Sequence, residues 1–144
     1  MLNILGRATV SRRIAPLGKA LAGAGVTPDA ITVVGTVGTV AASLSLIATG
    51  WFFTGAAIAT VFVLFDMVDG AVARAGGTGS LFGAVLDSSC DRIADAAIFG
   101  AVAWYYAMHG QRWMLLAALL CLVLGSLTSY IRARAEGALS LIHI

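Results

Sequence analysis

The sequence predicts an all-α protein, a polytopic membrane bundle of four spanning helices behind an N-terminal amphipathic segment. Three observations predict it. Of the 144 residues, 60% are hydrophobic and only 11% are charged, whereas a water-soluble domain carries about 25% charged residues. Not one Asp, Glu, Lys or Arg stands between Asp29 and Asp66, a run too long for a single span of ~20 residues. The basic residues gather at alternate connections between the apolar runs. The mean hydropathy of +0.95 excludes a solvated, disordered chain. A net charge of +2 is too small for a nucleic-acid binder, and the 17 glycines follow no three-residue period. Cys90 and Cys121 lie in apolar stretches and form neither a metal spacing nor a disulfide framework.

Residues 1–26 mix Leu, Ile and Val with Arg7, Arg12, Arg13 and Lys19 and contain no acid. Such a composition suits a juxtamembrane helix lying on an anionic leaflet; a basic tail that only fixes topology is the plainer reading. Thr27-Pro28-Asp29 has the chemistry of a helix start, with Thr as cap, Pro at the first position and Asp near the positive dipole end. The first span covers 30–48. Gly35, Gly38, Ala42 and Ser45 form a small-residue stripe along it, which in lipid lets backbones approach closely. Thr49-Gly50-Trp51 breaks the run, and a second helix follows over 53–74. The third spans 81–107 and the fourth 113–134. Trp51, Trp104, Tyr105, Tyr106 and Trp113 fall at the ends expected on one side, as an interfacial aromatic belt does. Arg74, Arg132 and Arg134 share the other side with the N-terminal basic residues, and only Arg112 opposes them. The positive-inside bias therefore predicts a multi-pass protein of the cell membrane with both termini cytoplasmic. The first apolar run starts near residue 30 and leads directly into another, which does not fit a cleavable signal peptide.

Six of the seven acidic residues are aspartates, and five of those lie between residues 66 and 95. Asp66 and Asp69 stand three apart near the cytoplasmic end of the second helix; Asp87 and Asp91 stand four apart near the cytoplasmic start of the third. Each spacing puts its pair on one helical face. A short connection makes the two helices antiparallel neighbours, so four carboxylates are expected to converge. An aspartate near a membrane helix centre costs about 2.5–3.5 kcal/mol, less toward the interface. Arg74 and Arg92 are too few to neutralise this cluster. A hard divalent cation with oxygen ligands fits it, and four carboxylates suit a two-metal phosphoryl displacement. Gly70, Ala73 and Gly83 leave room beside the acids, and Arg74 is a bidentate phosphate donor. Two other readings remain open on the residues alone. The aspartates pair with arginines and fix helix register, or they mark a proton or cation path; their clustering at one face of the membrane counts against a path.

The pattern Asp66-x2-Asp69-Gly70-x2-Ala73-Arg74-x8-Gly83-x3-Asp87-x3-Asp91 resembles, without gap or substitution, the signature of the CDP-alcohol phosphatidyltransferases: eight fixed positions over 26 residues. The resemblance implies a polytopic helical enzyme, commonly a homodimer in membrane lipid, with its polar site at the cytoplasmic boundary and CMP as leaving group. It implies two Mg2+ or Mn2+ ions held by Asp66, Asp69, Asp87 and Asp91, with Asp91 also acting as general base. It further implies contacts to CDP-diacylglycerol from Asp29, Ala30, Ile31 and Thr32 at the first helix start and from Gly70, Arg74 and Ser80.

Phe82 to Asp95 and Ser129 to Glu136 resemble the actinobacterial branch of that family, whose acceptor is an inositol phosphate. Relatives that use glycerol 3-phosphate have a proline and a lysine where Ser88 and Arg92 stand, and they supply the alternative reading. Arg132 and Arg134 are the expected ligands of the acceptor phosphate, and Arg92 with Asp95 forms an i, i+3 support pair. Family members usually have six spanning helices. The resemblance therefore divides the chain into a juxtamembrane segment (1–26), a catalytic membrane domain (27–136) and an atypical tail (137–144), and implies C-terminal truncation of an active unit.

Overall fold

The computed structural model describes residue 16, residues 20–21, 23–76 and 80–142; the side chains of 65–67, 69, 71, 74–76 and 139–142 lie outside that description. Most of the expected amphipathic segment, 1–26, is likewise outside it. Helical backbone at Ala20, Leu21 and Gly23 ends where the Val26 N–H donates to the Leu21 carbonyl at 3.1 Å, a helix-terminating bond.

Four helices follow: α1 (Pro28–Ala42), which closes in a π turn over Ser43–Ile47, α2 (Phe52–Gly76), α3 (Leu81–Met108) and α4 (Arg112–Ile142). Each expected helix is present, with ends within two residues except the last. α4 continues to Ile142, past residue 134, so the expected tail begins as helix. The turns at 48–51 and 109–111 hold Gly50 (φ 93°) and Gly110 (φ 67°), both in the left-handed region that other residues enter at a steric penalty. These two turns lie at the same end of the bundle, where Phe52 meets Tyr105 edge-on at 4.8 Å between ring centres. Trp51, Trp104 and Trp113 at that end are exposed. Pro28–Ile47 (mean hydropathy 1.9) and Arg112–Ala138 (mean hydropathy 2.2) are long and apolar enough to cross a membrane; the apolar part of α2, Phe52–Leu64, is shorter.

Sequence reasoning sets α2 and α3 face to face. Among the described residues α1 packs against both, and α4 packs against α3. The reason is the small-residue face of α1. Gly35, Thr39, Ala42 and Ser43 are buried, and a Cβ on Gly38 would fall on the Phe62 ring of α2. Ser45 departs from the expected stripe: it is exposed and donates to its own Ala41 carbonyl at 2.6 Å. At 3.6 residues per turn, ten positions carry it off the face that Gly35 begins.

Hydroxyls along this face bond within their own helix. Thr36, Thr39 and Ser43 donate to the carbonyls of Thr32, Gly35 and Thr39 at 2.9, 2.9 and 2.7 Å. Overpacking at such a contact costs about 1–3 kcal/mol. Gly38→Ala is therefore expected to lower the thermal midpoint in detergent clearly, with Gly100→Ala, where no atom lies within 4 Å of the added methyl, as the control that does not.

Candidate active site

Two helix starts meet at one end of the bundle. At the first, the Thr27 hydroxyl caps α1 by accepting from the Ala30 N–H at 3.3 Å, with Pro28 at the opening position and Asp29 in the first turn. The buried Thr32 hydroxyl donates to the Pro28 carbonyl at 3.2 Å. At the second, Ser80 caps α3 by accepting from the Gly83 N–H at 2.9 Å. These starts are adjacent, because a Cβ on Gly83 would stand 3.1 Å from Asp29 Oδ1 and 3.2 Å from Ser80 Oγ. Gly83 is thus the gap through which the Asp29 carboxylate reaches α3.

One turn beyond Gly83, Asp87 is half-buried. Its Oδ1 is shielded from solvent and has no hydrogen-bond partner among the described residues. An orphaned carboxylate oxygen is expensive to bury, and a hard cation is the ligand its chemistry fits. Asp91 follows four residues later, with about half of its side chain exposed and Arg92 Nη2 at 3.8 Å. Arg92 is held more closely by Asp95, at 2.9 Å, so the expected i, i+3 pair is present.

Asp91 borders two spaces. The inner one is a cavity of about 30 Å³ among α1, α2 and α3, lined also by Thr32, Thr36, Thr39, Phe62 and Cys90. The outer one is an open groove of about 650 Å³ between α3 and α4. Asp87, Ser88 and Arg92 line it from α3; Ser126, Ser129, Tyr130, Arg132 and Glu136 line it from α4. Arg132 Nε donates to Glu136 Oε1 at 2.8 Å.

The structure thus brings Asp29 to Ser80 and Gly83, and Asp87, Asp91 and Arg132 into one groove. Arg134 is exposed and is not among the groove's lining residues. Ile31 is a core side chain whose N–H is engaged by the Thr27 carbonyl at 3.4 Å, and Ala30 is exposed. Gly70 is half-buried on α2. Asp66, Asp69 and Arg74 stand on α2, Asp66 four residues past the Phe62 that lines the inner cavity, and their side chains are outside the described set. Among the described residues no three acidic, His or Cys side chains gather as a metal cluster. Sequence reasoning assigned no site role to Ser126, Ser129, Tyr130 or Glu136. Their signal was available: Ser126, Ser129, Tyr130 and Ala133 fall at i, i+3, i+4 and i+7, one face of an otherwise apolar span.

The family model described as CDP-alcohol phosphatidyltransferase matches residues 25–141. The chain belongs to that family. Among curated members of the CDP-alcohol phosphatidyltransferases, it is 46% identical over 138 residues to the phosphatidylinositol phosphate synthase of Mycobacterium tuberculosis (strain H37Rv), covering 95% of this chain and 64% of that protein. It is 48% identical over 135 residues to that of Mycobacterium marinum, covering 93% and 58%. The crystal structure of the M. tuberculosis synthase with CDP-DAG bound superposes with a TM-score of 0.83 at 47% identity, covering 88% of this chain and 64% of that one. The structure of the same synthase with manganese and citrate gives 0.82, covering 87% and 60%. The chain therefore spans less than two thirds of the length of these relatives.

Gly83→Ala is expected to push Asp29 and Ser80 aside by a few tenths of an ångström. On the function proposed below, this weakens affinity in a CDP-diacylglycerol binding assay, while Gly100→Ala leaves it unchanged.

Proposed function

We propose that this chain forms the catalytic part of a membrane phospholipid synthase. It transfers the phosphatidyl group of CDP-diacylglycerol to a hydroxyl of an inositol phosphate and releases CMP. The observation that carries this reading is the shielded Asp87 Oδ1, without a hydrogen-bond partner among the described residues, one turn from an Asp91 that borders a groove with Arg132 on its far wall. Identity above 40% to synthases of that name supports the acceptor.

Asp66, Asp69, Asp87 and Asp91 are proposed to hold two Mg2+ or Mn2+ ions. A relative crystallised with manganese supports a divalent cation. When bound, such ions make the phosphatidyl phosphorus more electrophilic and stabilise the charge on departing CMP. The chain's own groups do the rest. Asp29, Ala30, Ile31 and Thr32 at the start of α1, with Gly70, Arg74 and Ser80, bind the CDP portion. Asp91 takes the proton from the acceptor hydroxyl as its oxygen bonds to phosphorus and the phosphorus–oxygen bond to CMP breaks, the electron pair leaving with CMP. Arg132, whose guanidinium has four N–H donors besides the one given to Glu136, takes the acceptor phosphate. Arg134 is the second basic group at that helix end.

We read the four helices as spans with both ends cytoplasmic in the cell membrane, residues 1–26 as a segment on the leaflet, 27–136 as the catalytic domain and the assembly as a homodimer. The charge asymmetry and the aromatic end support this placement.

Asp91→Asn is expected to lower CMP release by ~10²–10⁴-fold while CDP-diacylglycerol binding survives; undiminished turnover removes the base from Asp91. Arg132→Ala is expected to raise the KM for inositol 1-phosphate by about tenfold or more with little change for CDP-diacylglycerol. Equal effects on both substrates remove Arg132 from the acceptor site.

A further inference from the structure

The hydroxyls of α4 behave unlike those of the other helices. Beyond the first turn of a helix, every other described Ser or Thr side chain returns its hydroxyl to a carbonyl three or four residues earlier. Thr36, Thr39, Ser43, Thr60 and Ser88 do so, as does Thr128 on α4 itself, at 2.7–2.9 Å. This is how a helix in an apolar medium satisfies a hydroxyl locally. Ser126 and Ser129 do not, and neither they nor the Tyr130 hydroxyl makes a hydrogen bond among the described residues. All three line the groove that Asp91 borders. The exceptions therefore fall on the α4 wall of the groove, whereas Ser88 on its α3 wall and Thr128, on α4 but not among the lining residues, both fold back.

We infer that Ser126 and Tyr130 select the acceptor, reading the ring hydroxyls of a polyol phosphate whose phosphate is held by Arg132. The inference rests on the acceptor groove of the proposed function and names what discriminates within it. A hydroxyl that is both donor and acceptor matches a secondary alcohol that is also both. A glycerol phosphate carries too few hydroxyls to meet the phosphate anchor, the reacting position beside Asp91 and this wall together. Sites built to bond a hydroxyl reject ligands that lack it more sharply than apolar pockets reject a methylene. Ser129, flanked by both residues on the same face, contributes to the same wall. The groove, at about 650 Å³, has room for a six-membered ring and its phosphate.

The test is acceptor competition in membranes carrying the protein, with CMP release measured for inositol 1-phosphate and glycerol 3-phosphate. The variants are Ser126→Ala, Tyr130→Phe, their combination and Ser126→Thr. The wild type is expected to prefer inositol 1-phosphate. The combined variant is expected to reduce that preference by about tenfold or more through the acceptor KM, with the KM for CDP-diacylglycerol unchanged, and Ser126→Thr is expected to retain most of it. A wild-type preference for inositol 1-phosphate that the combined variant leaves intact overturns this inference alone. A wild type that prefers glycerol 3-phosphate, or releases no CMP with either acceptor, overturns the acceptor assignment and this inference together. Equal loss for both acceptors, or a raised CDP-diacylglycerol KM, also overturns it, since a general packing defect has no preference between acceptors.

Discussion

The close approach of α1 to its neighbours is the constraint on which the rest of the site depends. Helices in lipid gain little from burying apolar surface and associate through packing and hydrogen bonding. α1 meets that condition with Gly38 against Phe62 of α2, and with hydroxyls bonded within their own helix. A face made polar by unsatisfied groups would demand partners from α2 or α3, and a face made bulky would hold them off. With neither, α1 lies against both helices, and its first turn comes within reach of the first turn of α3.

That meeting sets the electrostatics of the site. Each helix start presents unpaired N–H groups and the positive end of its dipole. Here Thr27 and Ser80 cap the two starts, and Gly83 lets Asp29 stand between them. Two positive helix ends suit the diphosphate of a nucleotide-linked lipid, while the carboxylates one and two turns further along α3 suit the cations that would neutralise it. On the proposed function, the acids and the diphosphate would be separated along one helix by about a turn, a distance over which a cation could offset their repulsion.

Much of this was legible in the sequence because its signals are local. The Thr-Pro-Asp start and the Gly50 break each encode a structure within a few residues, and both are present. What the sequence did not reveal is non-local or degenerate. That α1 is the neighbour α2 and α3 share depends on which small-residue face meets which helix, and a glycine stripe does not name its partner. The π turn at Ser43–Ile47 has no composition cue, since Ser-Leu-Ser-Leu-Ile is as compatible with α-helix. Ser45 was assigned to the stripe by residue size, whereas phase along the helix decides exposure. The groove wall on α4 was missed because a serine in an apolar span reads as local hydrogen bonding until its hydroxyl is seen not to fold back.

Asp91 unites these features because it faces two different surroundings. On one side lie the hydroxyls and apolar groups of the small inner cavity; on the other lies the open groove. On the proposed function, the groove gives the carboxylate access to a polar acceptor. A base open to such a groove can serve any alcohol that reaches it, so the identity of the alcohol has to be set elsewhere. On the function proposed here, α3 carries the chemistry through Asp87 and Asp91, and α4 carries the choice of acceptor through the residues opposite. Changing which alcohol reacts then requires new side chains on one face of α4, with the aspartate spacing on α2 and α3 left as it is.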